Sequence, residues 1–165
     1  MKILFSANEI AARVSALADE IAQSALKPDM AAPILSGAFV FAADLLRALN
    51  DRGLVLPMEF LWLQSYGAAR EAGAVKVLVG PSEKVRGRTV LLIDGVLDSG
   101  ATMARAKELL LEEGAAAVLT VVAVDKGISR VNADYACFRG VEDFIVGYGM
   151  DDGDALRGLP YIGAL

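Results

Sequence analysis

Hydrophobic residues near the start of the chain recur with the period of a helix. The apolar stripe consists of Ile10, Val14, Leu17 and Ile21. A spacing of three or four residues places these side chains on one helix face. Ser6 and Glu9 precede the stripe at the spacing of a capping box, in which each side chain accepts a hydrogen bond from the other residue's backbone N–H. We therefore predict a helix that begins after Ser6 and ends at Lys27-Pro28-Asp29.

Short apolar runs then alternate with two more helical patterns. The predicted strands span residues 32–35, 58–63, 74–79, 89–93 and 118–124, with short strands near Phe138 and at 144–146. A second helix would bury Phe39, Ala43, Leu46 and Leu49, and a third would span 101–113. Residues 65–73 have no clear period and are predicted to form a loop. Strands that alternate with helices predict an α/β domain with a largely parallel sheet.

The composition fits one compact domain of 165 residues. Although 55% of the residues are hydrophobic, the longest uncharged run, residues 30–43, is interrupted by Pro33 and Gly37 and is too short to span a bilayer. We therefore expect no membrane partner. Cys137 is the only cysteine and cannot form an internal disulfide, which predicts a cytoplasmic protein.

Charge and the absence of histidine exclude several classes of function. The 21 acidic and 16 basic residues leave a net charge of −5, which argues against nucleic acid as a partner because phosphate binding needs a basic surface. The chain contains no histidine, so Ser-His-Asp triads, Cys-His dyads and imidazole zinc sites are excluded. Proton transfer near neutral pH therefore falls to a carboxylate, a lysine, a tyrosine, the cysteine or a bound ligand.

Residues 90–102 combine a strand, a loop and a helix start. The apolar strand delivers Asp94 at its carboxyl end, and Asp98, Ser99 and Gly100 form a loop that opens into the third helix. Ligands of open α/β sheets bind outside the carboxyl ends of the strands. Free N–H groups at a helix N-terminus bind phosphate, and Ser99 and Thr102 can add hydroxyl donors. On these residues alone, a phosphate site and an ordinary capped turn stand as alternatives.

The same segment resembles the loop that binds phosphoribosyl pyrophosphate (PRPP) in type I phosphoribosyltransferases, which has an apolar strand, acids, two apolar residues and then Asp-Thr/Ser-Gly-x-Thr. Three further segments resemble the hypoxanthine-guanine (6-oxopurine) branch of that family. They are residues 33–45 (PILSGAFVFAADL), 65–67 (SYG) and 144–163, which include FIVGYGMD and RGLPYIG. The resemblance covers nearly the whole chain in the family's order. It implies a single domain spanning 1–165, with a twisted, mostly parallel sheet flanked by helices and a small hood made of about residues 1–8 and 140–165.

The resemblance assigns PRPP to the loop and to two other segments. Its 5-phosphate and ribose would contact Asp94, Asp98, Ser99, Gly100, Ala101 and Thr102. Asp98 would also be the catalytic base or the partner of purine N7. The pyrophosphate would contact Leu35, Ser36, Gly37 and Arg157. Ser65 and Tyr66 would begin a flexible loop that excludes water.

The resemblance assigns the purine base to Lys126, Phe144, Ile145 and Asp151. Lys126 would recognise the 6-oxo group, Phe144 would stack on the base, and Ile145 would contact its edge through the backbone. The alternatives are an exposed lysine at a strand end for Lys126 and ordinary core packing for Ile145.

Magnesium is the implied cofactor. Asp151 would hold Mg²⁺, mostly through PRPP, pyrophosphate and water, because hard divalent ions prefer oxygen ligands. Asp94 is a second candidate ligand. The neighbouring Asp152 and Asp154 are expected to form a solvated acidic face.

The implied activity is transfer of the 5-phosphoribosyl group from PRPP to N9 of hypoxanthine or guanine in purine salvage, with a nucleoside monophosphate and pyrophosphate as products. The implied partners are PRPP, a purine base and, in a homodimer or homotetramer, further copies of the chain. Phe60, Leu61 and Trp62 form an apolar strip that suits an interface or the core. Two alternatives remain: a phosphoribosyltransferase with another base preference, and a weakened homologue that binds nucleotide or PRPP as a regulator.

Departures from the family's pattern motivate the regulator. Asp94 is followed by Gly95 where the family has a second acid, and Ser36 stands where many relatives have lysine. Losing one hydrogen bond to a charged group costs roughly 1.5–3 kcal/mol, which predicts weaker PRPP binding. On this interpretation, a gain in PRPP affinity on Gly95→Asp would mean that the site works and lacks only one contact.

Overall fold

The structure is a computed structural model that describes residues 1–65 and 74–165. The strands are β1 (Lys2–Phe5), β2 (Met30–Leu35), β3 (Leu61–Ser65), β4 (Val75–Val79), β5 (Thr89–Leu97), β6 (Ala117–Asp125), β7 (Tyr135–Arg139), β8 (Ile145–Val146) and β9 (Ile162–Ala164). The helices are α1 (Ala7–Gln23), α2 (Phe39–Asn50) and α3 (Ala101–Glu112), with a short 3₁₀ helix at Glu83–Val85.

Six strands form one sheet in the order β4-β3-β2-β5-β6-β7. All neighbours are parallel except β3 and β4, which are antiparallel. After β2 the chain adds strands on one side of the sheet, and after β5 it adds them on the other. The pair β2 and β5 is therefore the point where the strand order reverses, and ligands bind at such points in open α/β sheets. The prediction of a mostly parallel α/β sheet is confirmed.

Helices cover both faces of this sheet. In β5, Leu91 and Ile93 belong to the core cluster that contains the buried faces of α1 and α2. Val90 and Leu92 belong to a second cluster, which contains the buried face of α3. Strand β5 is apolar at consecutive positions because both of its faces are covered.

A separate antiparallel sheet joins the two ends of the described chain. Its strand order is β1-β9-β8, so β9 is the central strand. Lys2 is paired with Ala164, and Ile145 is paired with the same residue from the other side. Strand β1 was not predicted from the hydrophobic pattern.

Several boundaries differ from the predictions. Helix α1 ends at Gln23 because Ser24 is extended, several residues before the predicted stop at Pro28. In the segment before β3, Met58 makes only an isolated bridge to Ala31, so the strand begins at Leu61 rather than at residue 58. Among the described residues, no helix is both long enough and apolar enough to cross a membrane.

The predicted inward face of α2 was partly wrong. The buried residues are Phe41, Ala42, Leu45 and Leu49. Phe39 is 44% exposed, and Ala43 also faces solvent. Residues 39–41 are all apolar, so the period alone does not select which of them begins the buried stripe.

Candidate functional site

A cavity of about 780 Å³ lies outside the carboxyl ends of β2, β3, β5 and β6. The residues predicted for the site that line it are Leu35, Ser36, Gly37, Ser65, Asp94, Asp98, Ser99, Gly100, Thr102, Lys126, Phe144, Ile145, Asp151 and Arg157. Ala101, the first residue of α3, is not one of its lining residues. Tyr66 lies outside the described residues. The fold thus brings five separate segments of the sequence to one cavity.

The loop at Asp98, Ser99 and Gly100 opens directly into α3, as the sequence predicted. Gly100 precedes the helix with φ +86°, and the Ala101 N–H donates to Ser99 Oγ at 3.3 Å. The N–H groups of Thr102 and Met103 make no hydrogen bond with the described residues. These amides and the adjacent hydroxyls can therefore bind an anion.

Ser129, from the segment between β6 and β7, packs directly over Gly100. A Cβ atom on Gly100 would lie 2.2 Å from Ser129 Oγ. The Ser129 hydroxyl donates to the Ser99 carbonyl at 3.3 Å, which holds the two loops together. Sequence reasoning missed this contact because no local pattern connects residues thirty positions apart.

Asp94 lies within β5 rather than at its carboxyl end, because the strand continues to Leu97. One Asp94 carboxylate oxygen accepts the Gly95 N–H at 2.7 Å. Burial raises the pKa of the Asp94 carboxyl to about 7, and the Gly95 N–H opposes this rise. Without ligand, this carboxyl is therefore partly protonated near neutral pH.

Lys126 and Asp98 meet at the ends of the adjacent parallel strands β6 and β5. Lys126 Nζ lies 3.6 Å from Asp98 Oδ2, and the Lys126 N–H donates to the Leu97 carbonyl at 3.0 Å. The Lys126 side chain is largely buried, whereas that of Asp98 is more than half exposed. Asp125 supports the turn because it accepts the Gly127 N–H at 2.9 Å and pairs with Arg139. A donor and an acceptor are therefore presented side by side to the cavity.

Arg157 contacts two acids of the C-terminal segment, Asp151 and Asp154. It lies 2.9 Å from Asp151 Oδ1 and donates to the Gly149 carbonyl at 2.9 Å. Asp151 also accepts the Asp154 N–H at 2.8 Å. Asp154 is highly exposed, but it lines the cavity and lies 3.4 Å from Arg157, so its description as only part of a solvated acidic face was incomplete.

Phe144 and Ile145 form an apolar wall of the cavity. The Phe144 side chain is 55% exposed, whereas its neighbour Ile145 is only 6% exposed. The Phe144 carbonyl accepts the Leu165 N–H at 3.1 Å, next to the pairing of β8 with β9. An exposed aromatic ring held by a sheet can stack on a flat ligand.

Two of the carboxylates that line the cavity, those of Asp94 and Asp151, are the predicted metal ligands. Among the described residues, no group of three or more Asp, Glu, His or Cys side chains could hold a metal by itself. Asp94 and Asp151 are separate carboxylates in the cavity wall. This donor set fits Mg²⁺, which is commonly bound through one or two carboxylates together with substrate phosphates and water.

Comparison with known proteins agrees with this geometry. The family model described as "Phosphoribosyl transferase domain" matches residues 2–152. The chain is 36% identical to a hypoxanthine-guanine phosphoribosyltransferase of Aquifex aeolicus, with 98% of this chain and 93% of that protein covered. It is 34% identical to the Bacillus subtilis protein of the same name, with 99% and 92% covered. The structure is also similar to the hypoxanthine phosphoribosyltransferase of Trypanosoma cruzi in complex with the product IMP, with a TM-score of 0.88, 32% identity, and 100% and 94% of the two chains covered.

Proposed function

The chain belongs to the phosphoribosyl transferase domain family, and we propose that it is the purine salvage enzyme that its cavity fits. It transfers the 5-phosphoribosyl group of PRPP to N9 of a 6-oxopurine, hypoxanthine or guanine, and releases pyrophosphate. The observation that carries the proposal is the pairing of Lys126 with Asp98 beside the start of α3, where two amides make no hydrogen bond with the described residues. The ammonium and carboxylate of this pair can bind one edge of a purine, and the nearby amides can bind a phosphate.

The phosphate and ribose of PRPP are proposed to bind along β5 and α3. The amides of Thr102 and Met103 and the hydroxyls of Ser99 and Thr102 hold the 5-phosphate, since an anion is favoured at a helix N-terminus. Asp94 accepts hydrogen bonds from ribose hydroxyls. These hydrogen bonds from the ligand stabilise the negative charge of the buried Asp94 carboxylate.

The pyrophosphate is proposed to bind between the loop after β2 and Arg157. Ser36 and Gly37 line the cavity there, and the Leu35–Ser36 peptide bond is cis. Arg157 supplies a guanidinium, which can donate two hydrogen bonds to a phosphate. Its contact with Asp151 places the cation beside the proposed magnesium ligand.

The purine base is proposed to stack on Phe144 with its edge toward Ile145. The Lys126 ammonium donates to the 6-oxo group, and the Asp98 carboxylate faces N7. As the bond from N9 to C1 of the ribose forms and the bond from C1 to the pyrophosphate oxygen breaks, the proton on N7 passes to Asp98. A positioned carboxylate of this kind contributes about 10²–10⁴-fold to a reaction rate.

Magnesium is proposed as the cofactor, with Asp151 and Asp94 as the residues that would hold it. When bound, Mg²⁺ neutralises the phosphate oxygens of PRPP and stabilises the leaving pyrophosphate. Ser65, one of the two residues predicted to begin the water-excluding loop, lines the cavity, and Tyr66 lies outside the described residues. Within a single domain, residues 1–8 and 140–165 form the proposed hood, which the sheet of β1, β9 and β8 supports.

A homodimer or homotetramer is the proposed assembly. Phe60 and Trp62 of the predicted apolar strip are 44% and 40% exposed, whereas Leu61 is fully buried. Val79 is paired with Trp62 in the sheet and is also exposed, which extends the apolar surface. Such a surface supports contact with a second copy. The proposed compartment is the cytoplasm, where the free thiol of Cys137 stays reduced.

The test is an assay of the purified protein with saturating PRPP and Mg²⁺ and with hypoxanthine, guanine or xanthine. We expect the matching mononucleotide and pyrophosphate in equal amounts, and no turnover when a chelator removes the metal. Turnover of xanthine alone would support the family member with another base preference. Binding of PRPP without turnover of any base would contradict the enzyme and favour a regulator.

A further inference from the structure

The main chain at Gly37 passes very close to two other glycines. A Cβ atom on Gly95 would lie 2.7 Å from the Gly37 carbonyl oxygen, and a Cβ atom on Gly149 would lie 2.7 Å from the same oxygen. Both distances are below the 3.0 Å that real Cβ atoms essentially never show. Because the neighbour is backbone rather than the end of a flexible side chain, any larger residue at either position must displace the loop after β2.

The conformation of Gly95 does not itself require glycine. Gly95 lies within β5 and does not have a positive φ, unlike Gly149, whose φ is +98°. Glycine in a strand interior weakens the strand and often marks a place where another backbone approaches closely. At Gly95 the approaching group is the Gly37 carbonyl, so packing is the reason for glycine here.

This packing fixes a main-chain segment at the wall of the cavity. Gly37 lines the cavity, and its N–H makes no hydrogen bond with the described residues. The Gly37 carbonyl also lies against Gly149, whose own carbonyl accepts a hydrogen bond from Arg157. The position of the Gly37 peptide therefore depends on both β5 and Gly149, and Gly149 also binds the Arg157 guanidinium.

We propose that Gly95 is a positioning residue: by leaving room for the Gly37 carbonyl, it holds the Gly37 amide where it can donate to the pyrophosphate of PRPP. The proposal rests on the proposed function, in which this loop binds pyrophosphate. It replaces the interpretation that Gly95 only marks a missing acid. The space that a second carboxylate would need is occupied by the Gly37 backbone.

The test compares Gly95→Ala and Gly95→Asp with Gly80→Ala as a matched control. Gly80 has an ordinary φ, and its Cβ would meet only Val77 Cγ1 at 3.7 Å, away from the cavity. Calorimetry with Mg²⁺ measures binding of PRPP and, separately, of inosine monophosphate, which carries no pyrophosphate. We expect Gly95→Ala to weaken PRPP binding about 10- to 100-fold, as for loss of a hydrogen bond to a charged group, and to change inosine monophosphate binding less than about threefold.

Gly95→Asp separates the two interpretations, because it supplies the acid and also fills the space. We expect it to bind PRPP no more tightly than Gly95→Ala does. PRPP binding at or above the wild-type affinity in either variant would overturn the proposal, and so would a parallel loss of both ligands. Gly80→Ala should bind both ligands as the wild type does.

If neither Gly95 variant folds, the proposal is tested by hydrogen exchange of the Gly37 amide in the wild-type protein. Slower exchange of the Gly37 amide on addition of pyrophosphate and Mg²⁺ would support the proposal, and unchanged exchange would overturn it. Failure of the proposed function is distinguishable in the wild-type protein, which would then turn over no purine base or would bind neither PRPP nor inosine monophosphate.

Discussion

The hydroxyl of Tyr148 donates a 2.7 Å hydrogen bond to Asp44, a residue 104 positions earlier in the chain. The other carboxylate oxygen of Asp44 lies 2.5 Å from Arg47, so the acid links α2 to the C-terminal segment. Tyr148 has φ +52°, between two glycines that also have positive φ. A non-glycine residue in this region is uncommon, and its side-chain contact helps to keep it there.

Tyr148→Phe should therefore lower the free energy of unfolding by about 1 kcal/mol, since it removes one hydrogen bond from a buried ring while the ring itself remains. Urea unfolding measures the change. Tyr161→Phe is the matched control, because the Tyr161 hydroxyl makes no hydrogen bond with the described residues. Equal losses in the two variants would contradict a specific role for the bond to Asp44.

Asp98→Asn tests the proposed proton acceptor. The amide keeps the size of the side chain but cannot take the N7 proton, so kcat should fall about 10²–10⁴-fold. Steady-state assays with hypoxanthine and guanine measure the loss, and calorimetry with PRPP should show nearly unchanged binding. Asp51→Asn, which alters an exposed carboxylate at the end of α2, should leave kcat unchanged. A kcat close to that of the wild type in Asp98→Asn would remove Asp98 from the mechanism.

Lys126→Met tests recognition of the 6-oxo group. Loss of a charged donor should raise the KM for the purine about 10- to 100-fold. The KM for PRPP should change less, since the proposed partners of its 5-phosphate are the amides and hydroxyls at the start of α3 and not the Lys126 ammonium. Lys107→Met, an exposed position on α3, is the control. A larger rise in the KM for PRPP than in the KM for the purine would contradict the proposed role of Lys126 in binding the base.

Asp94 makes stability depend on pH in the ligand-free protein. Burial raises its pKa from the ordinary 3.8 to about 7, so the folded protein holds a proton that the unfolded chain releases. The stabilising contribution is complete at low pH, below the pKa of the unfolded chain, and is lost as pH rises to about 7. Relative to Asp94→Asn, the wild type should thus become less stable across this window. Urea unfolding at several pH values, with a chelator present, measures the difference, and a constant difference would contradict the assignment.

Cys137 should be unreactive in the native protein. Burial raises the pKa of its thiol to about 12, so almost no thiolate is present near neutral pH. Iodoacetamide should label the thiol only after denaturation, as measured by mass spectrometry. Rapid labelling under native conditions would show that the surrounding core opens.

Local patterns predicted the part of the site that a short segment builds. The strand β5, the loop at Asp98 and the start of α3 are adjacent in the chain, and each has its own signal in apolar residues, turn residues or glycine. The capping box at Ser6 and Glu9 is also local, and both of its hydrogen bonds are present.

The pattern of hydrophobic and polar residues did not predict contacts between segments that are far apart in the chain. Strand β1 has only four residues, and its partner β9 is at the other end of the described chain. The hydrogen bond from Tyr148 to Asp44 was not predicted either, because these residues are also far apart in the sequence. Gly95 was interpreted as a missing acid because a sequence records which side chain is present, whereas the reason for the glycine is a carbonyl from another loop.

The central position of β9 in the small sheet affects the order in which the site can be made. Every strand of the six-stranded sheet, together with α3 and Lys126, is encoded before Gly140, whereas Phe144, Arg157 and β9 follow. Chains fold as they leave the ribosome, starting from the N-terminal part. A nascent chain can thus form the start of α3, where phosphate is proposed to bind, before it contains the wall that is proposed to hold the base. That wall is completed only when β9 inserts between β1 and β8.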